Sequence, residues 1–272
     1  MSGPLIDVHA HFLHAGCGRA DWEAVNAARF RAGDRMGITC HVASILGSFG
    51  HTSPTYFPSP ADVTAGNDAM LAICDREQMR VRMYVTVNPN HTAHALAELD
   101  RCVARGAVGV KLAASRRAFN PLLDPVCDYA ARQALPVLHH IWQHRTRDWP
   151  NQEISDGADL AVLARRHPTV AFILAHIGGG GDYRHTYHAV AEVPNIYLDI
   201  SGSGVDCGML EGAVATVGAQ RILFGCDVTM ETGLAKLRAL EASPMLSASD
   251  RNAVRWGNAA RIFGGARLGV SA

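Results

Sequence analysis

Two histidines, His9 and His11, lie in the run Ile6-Asp7-Val8-His9-Ala10-His11-Phe12. Residues two apart in an extended chain face the same side, so both imidazoles can aim at one point. Two imidazole nitrogens held this way can bind one first-row metal ion, at about 2.0–2.1 Å for zinc. Alone, the pair has a plain alternative: the chain holds 14 histidines, and two of them lie close in sequence. Three other apolar runs end in the same kind of residue: Leu138-His139-His140, Ala175-His176-Ile177 and Phe224-Gly225-Cys226-Asp227. Imidazoles and a carboxylate that recur at strand ends far apart in sequence argue for one shared metal site. This donor set suits zinc, iron, manganese or nickel, so donor type does not choose the ion.

The elements that must position these groups alternate along the chain. Strand-like segments are expected at Leu5–His9, Ile38–Leu46, Val81–Val87, Val108–Leu112, Pro136–His140, Val170–His176, Asn195–Ile200 and Arg221–Cys226. Most are continuous apolar runs rich in branched residues, as parallel strands covered by helices require. Amphipathic stretches lie between them: Trp22–Met36, Ala65–Gln78, Ala93–Arg105, Pro121–Gln133, Gly157–His167, Tyr183–Ala191 and Asp206–Val217. A last helix is expected to include Asp250–Phe263. Eight strands alternating with eight helices predict a single (β/α)8 TIM barrel spanning residues 1–272, rather than an open sheet. Two long loops, Gly47–Ala61 and Trp142–Asp156, then hang over the carboxyl face where a barrel binds its substrate. His51 and Trp142, within them, are candidate substrate contacts.

Bulk composition excludes several classes. Lys+Arg and Asp+Glu both number 25, with no basic stripe and no block of like charge, so nucleic acid is not an expected partner. No apolar run approaches the roughly 20 residues of a membrane span. The start lacks a charged then apolar leader pattern, and a cytoplasmic protein is expected. Seven cysteines without a C-x-x-C pair read as reduced thiols, not as a zinc ribbon. The glycines at 178–181 lack the Lys-Ser/Thr of a phosphate loop and read as a turn close to the metal.

The chain resembles the amidohydrolase superfamily, in the branch that holds aminocarboxymuconate-semialdehyde decarboxylase and the amidohydrolase 2 proteins. The resemblance rests on Asp7-Val8-His9-Ala10-His11, Gly109-Val110-Lys111-Leu112, Pro136-Val137-Leu138-His139-His140 and Ala175-His176-Ile177-Gly178-Gly179. It continues in Arg221-Ile222-Leu223-Phe224-Gly225-Cys226-Asp227 and Gly257-Asn258-Ala259-Ala260-Arg261-Ile262-Phe263, in the family's order over nearly the whole chain. It implies that His9, His11, His140 and Asp227 bind the main metal, and that His176 is a ligand of a second ion or a water-activating base. His140 matches the family ligand, which leaves His139 facing the helix layer. Lys111 stands where binuclear relatives carry a carboxylated, bridging lysine; we expect it to contact substrate or to serve the structure, and expect one ion, with two possible if Lys111 is carboxylated. The resemblance also implies a homodimer. Val228-Thr229-Met230 replaces the branch's usual aromatic-Pro turn, and Cys226 its usual serine or threonine, so the substrate is not carried over.

The expected activity is a metal-dependent hydrolase, most simply with zinc. It would cleave an amide, lactam, lactone or ester of a small polar molecule through activated water, with Asp227 as proton shuttle and His176 as orienting group. The alternative, on the same site, is non-oxidative decarboxylation, or hydratase or lyase chemistry, of a small aromatic or unsaturated acid.

Overall fold

Strand order in the sheet follows chain order, and every strand pair is parallel. The strands are β1 (Ile6–His11), β2 (Cys40–Ser44), β3 (Val81–Val87) and β4 (Gly109–Leu112). They continue as β5 (Val137–His140), β6 (Phe172–Ala175), β7 (Ile196–Asp199) and β8 (Ile222–Leu223). The last returns to the first: Val8 N–H donates to the Phe224 carbonyl (3.0 Å) and Asp227 N–H to the His9 carbonyl (2.6 Å). The sheet is thereby a (β/α)8 barrel. The computed structural model describes residues 3–46, 55–142, 144–145, 148, 150–177, 183–202, 204, 208–227 and 230–270.

Helices α1 (Trp22–Met36), α2 (Pro60–Arg76), α3 (Thr92–Val103) and α4 (Asp124–Gln133) follow the first four strands. Helices α5 (Gly157–Arg166), α6 (Tyr183–Ala189), α7 (Met209–Val217) and α8 (Met230–Ala242) follow the others. Three short helices, α9 (Ala248–Asn252), α10 (Asn258–Phe263) and α11 (Gly265–Leu268), end the chain. Local chemistry sets several starts. Ser59 accepts from Asp62 N–H ahead of Pro60 at α2, and reciprocal capping boxes, Asp156/Asp159 and Ser247/Asp250, open α5 and α9.

Two apolar layers result. Ile6, Val8, Val42, Leu138, Ile173 and Leu223 fill the barrel interior, and Ala259, Phe263 and Leu268 of the last helices join them. The larger layer lies between strands and helices and includes Phe12, Val85, Leu112, Val137 and Leu174. Tyr84 is wholly buried in the interior and donates its hydroxyl to the Val8 carbonyl at 2.7 Å. Tyr84→Phe should therefore lower stability by about 1–2 kcal/mol, because a buried carbonyl loses its donor. Urea unfolding measures this, and a change within error would show that the bond is replaceable.

Several expected boundaries move. Ile38 and Leu46 are buried but lie outside the β2 ladder, so apolarity overstates strand length there. The run Arg221–Cys226 yields only two ladder residues. Helix α8 was not expected. Its inward face carries Lys236, buried beside Leu237 and Leu240, while Leu234 is exposed, and this blurs the apolar period. The expected final helix is two helices, α9 and α10, joined through a π-helical turn at Ala253–Gly257.

Candidate metal centre

Strict alternation along β1 would send His9 and His11 to the side opposite Val8. A bulge prevents this: Asp7 pairs with His41 and Ala10 with Ala43, so β1 spends three residue steps where β2 spends two. The extra residue reverses the facing between Val8 and His9. Asp7 then meets His41 of β2 (Oδ2 to Nδ1, 2.9 Å), while His9 and His11 both face the barrel mouth, their Nε2 atoms 3.1 Å apart.

A related device turns the other two strand ends. His176 and Asp227 both have φ of +62°, a left-handed conformation uncommon outside glycine. Each lies just beyond its strand, and each is brought to the same spot. Such strain costs on the order of 1–3 kcal/mol per residue and persists only where neighbours enforce it. At Asp227 the enforcing contacts are identifiable. Arg29 of α1 donates to the Asp227 carbonyl, and the buried Asp7 accepts from the adjacent Cys226 N–H at 2.9 Å.

One atom each from His9, His176 and Asp227 lies within 4.8 Å of the others, a possible metal-binding group among the described residues. His11 joins it, with Nε2 3.4 Å from Asp227 Oδ1; His9 Nε2 is 3.8 Å from the same oxygen. His140 makes its close approach to His176, Nδ1 to Nε2 at 3.3 Å. His176 Nδ1 lies 3.4 Å from Asp227 Oδ2. Lys111, wholly buried, brings Nζ to 3.0 Å from His9 Nε2. Trp142 stacks on His140 (centroids 6.2 Å, planes 9° apart) and meets His176 edge-on. His51 lies outside the described residues. His139 faces away from the centre, its Nδ1 donating to the His140 carbonyl at 2.8 Å.

The tautomers follow from the partners. His9 Nδ1 donates to Asp199 Oδ2 (2.7 Å), and His11 Nδ1 donates to the Ser44 carbonyl (3.1 Å). Both Nε2 atoms are therefore lone pairs, and they point at each other. Ligand atoms about 2.1 Å from a common ion sit about 3.0–3.4 Å apart at octahedral or tetrahedral angles. Two of the spacings among His9, His11 and Asp227, 3.1 and 3.4 Å, fall in that range and the third, 3.8 Å, lies just outside it; two neutral imidazoles and a carboxylate this close are a donor set suited to a divalent ion.

Electrostatics agree. Burial, reinforced by Lys111, lowers the His11 pKa to about 3 and that of His9 well below its usual value, which keeps both imidazoles neutral as ligands must be. Burial opposes ionisation of Asp227, but His176, His9, His11 and Lys111 outweigh it and hold the carboxyl well below the usual range. Burial lowers Lys111 to about 8, against the pull of Asp227 and Asp199.

Several contributors have no motif of their own. Asp199, at the end of β7, orients His9 and accepts from Ser201 N–H; Ser201 Oγ lies 2.9 Å from His9 Nδ1 and 3.2 Å from His176 Nδ1. A carboxylate at a strand's carboxyl end was itself a usable signal. Tyr56, from the loop after β2, packs its ring 5.1 Å from that of His140. Gly225 leaves room for this layer, since a Cβ there would meet Asp199 Oδ1 at 2.8 Å and His9 Cβ at 3.1 Å. The strand-five pair offers a direct check. His139→Ala should keep bound metal, His140→Ala should lose it, and elemental analysis of the two variants would expose a reversed assignment.

A barrel with imidazoles and a carboxylate gathered at the ends of its strands defines a metal-dependent enzyme. The chain belongs to the amidohydrolase family (Amidohydro_2), whose profile matches residues 6–265. It is similar in structure to 2,6-dihydroxybenzoate decarboxylase from Rhizobium, at 18% identity and TM-score 0.72, covering 97% of this chain and 99% of that one. A dihydroxybenzoic acid decarboxylase from Polaromonas sp. JS666, with bound manganese and the inhibitor 2-nitroresorcinol, is similar at 20% identity and TM-score 0.70, covering 96% and 97%. So is 4-oxalomesaconate hydratase from Rhodopseudomonas palustris, at 14% and 0.68, covering 97% and 96%. At these identities the likeness speaks for the fold. A curated match, 1-deoxy-D-xylulose 5-phosphate reductoisomerase of Anaeromyxobacter sp. (strain K), is 34% identical over 88 residues, 32% of this chain. The chain spans only 20% of that relative's length, and the match lends it no activity.

Proposed function

We propose that this protein is a metal-dependent hydrolase that opens an amide, lactam, lactone or ester bond in a small anionic molecule. The observation that carries the proposal is the position of Asp227. Its Oδ1 faces His9 and His11, and its Oδ2 faces His176 Nδ1. One oxygen can thus hold the ion while the other accepts a proton from water and returns it to the leaving group. His9, His11, His140 and Asp227 would hold a single divalent ion, zinc by donor type, with His176 at its edge. Such an ion supplies a Lewis acid that polarises a carbonyl and makes water a nucleophile near neutral pH.

The chain's own groups do the rest. His176, with Nδ1 toward Asp227 and Nε2 toward His140, orients the water and relays its proton. The buried Lys111 cation favours an anionic substrate at the mouth, and Trp142 offers a flat apolar wall. Lys111 favours a second reading as well, because it could equally hold the carboxylate of an acid that loses carbon dioxide. Turnover in ¹⁸O-labelled water, against a panel of lactones, N-acyl compounds and aromatic acids, separates the two. Hydrolysis places one labelled oxygen in the product and releases no gas. Stoichiometric carbon dioxide without label in the organic product would overturn hydrolysis in favour of decarboxylation.

A further inference from the structure

Lys236, on the inner face of α8, is 2% exposed and donates from Nζ to the Gly202 carbonyl. It forms no ion pair among the described residues. A buried ammonium group without a paired counterion is costly, and burial lowers Lys236 to about 8 against the more distant pull of Asp199 and Asp227. A leucine or methionine would fill the same space on a helix without that cost. What the lysine adds is its bond to Gly202.

Gly202 ends a short strap, residues 199–202, that leaves β7 and runs past the metal centre. The near end of the strap is fixed by backbone bonds. Ile177 N–H donates to the Asp199 carbonyl (3.0 Å), and Ile200 N–H donates to the Leu223 carbonyl (3.1 Å). Beyond these the strap touches two imidazoles. Asp199 Oδ2 accepts from His9 Nδ1, and Ser201 Oγ lies 2.9 Å from His9 Nδ1 and 3.2 Å from His176 Nδ1. Gly202 closes on the His176 ring itself. Its φ is +87°, and a Cβ there would lie 2.9 Å from His176 Nδ1 and 3.2 Å from its Cγ, so only glycine fits. His176 keeps a left-handed backbone, with φ of +62°, which persists where neighbours enforce it. The Gly202 backbone against its ring is such a neighbour. Helix α8 comes close enough to reach the strap because Gly233, a turn before Lys236, packs on Cys226; a Cβ there would meet Sγ at 2.7 Å.

We propose that Lys236 is a positioning residue of the metal centre: by holding the Gly202 carbonyl it keeps the strap against the His176 ring, and so keeps His176 and His9 aimed at the ion. The proposal rests on the reading of these histidines as a metal centre, and not on which reaction follows there.

Zinc affinity, measured by competition with a chelator, tests this through the sign of the change. By charge alone, removing a buried cation near the centre should tighten zinc. By loss of positioning, Lys236→Met should weaken zinc about tenfold, the low end of the loss that follows removal of an outer partner of a metal ligand. A second readout follows the ring directly. The imidazole ¹⁵N resonances of His176, assigned through His176→Gln, should shift or split in zinc-loaded Lys236→Met. Those of His139, which faces away from the centre, should stay in place. Gly202→Ala keeps Lys236 but sets a methyl group against the ring. It should weaken zinc and move the same resonances, and it decides the matter if Lys236→Met does not fold. Zinc bound equally or more tightly by a folded Lys236→Met overturns the proposal. So do unchanged His176 resonances in either variant, or His139 resonances that move with them, which mark a general loosening of the barrel. A wild-type protein that binds no zinc sinks the metal centre instead, and the His176 resonances of the metal-free protein then carry the test of the strap.

Discussion

Chelation of the purified protein should abolish turnover, and elemental analysis before chelation should find about one divalent ion per chain. The reason is visible in the geometry. His9 Nε2 and His11 Nε2 are both lone pairs and lie 3.1 Å apart, and Asp227 Oδ1 closes the triangle. Without a cation these three groups repel one another, and the Lys111 ammonium lies beside them. A ligand that binds only the folded state stabilises it by RT ln(1 + [L]/Kd), about 2.7 kcal/mol at one hundred times Kd. For a chain of this size that is a rise in Tm of roughly 5–8 °C on metal addition. His9→Ala should remove both the activity and the metal-dependent rise in Tm, while its circular dichroism stays that of a barrel, because the interior is filled by Ile6, Val8, Leu138 and their neighbours. Full activity after exhaustive chelation would refute the metal centre. Two ions per chain, with added mass on Lys111, would replace the single-ion reading by a bridged pair.

The parts of this centre that were legible in sequence are those written into single strands. His9-Ala10-His11, Lys111, His140, His176 and Asp227 each sit at the end of an apolar run, and a barrel gathers such ends whatever lies between them. What sequence could not supply was facing. Counting by twos from Val8 puts His9 on the wrong side; the bulge against β2 corrects it, and a bulge is a property of two strands together. The same holds for His176 and Asp227, whose left-handed backbones depend on contacts from elsewhere. Asp7 reads as the first letter of the β1 motif, yet it belongs to a network behind the site, with His41, Arg29 and the Cys226 amide. Asp199 and Ser201 matter through their bonds to His9 and His176, across some 190 and 25 residues of chain. Helix α8 was hidden for a related reason: Lys236 on its inner face is explained by what surrounds it, not by its neighbours in sequence.

Asp227→Asn should lower kcat by roughly 10²–10⁴, the usual contribution of general acid–base catalysis, while metal is retained at least in part. An amide nearly preserves the size of the carboxylate, and its oxygen can still face His9 and His11. Asparagine also accepts the left-handed backbone of this position better than most residues, so φ of +62° need not change. The Arg29 bond to the backbone carbonyl and the Asp7 bond to Cys226 N–H do not involve the side chain and should survive. What the amide cannot do is accept a proton at the atom that faces His176. Metal content, Tm and kcat measured on one preparation separate the two roles of the residue. If kcat falls far more than metal occupancy, the carboxylate moves the proton. If the two fall in proportion, Asp227 only holds the ion, and the base must be His176, whose Nε2 then has to exchange its His140 contact for the water.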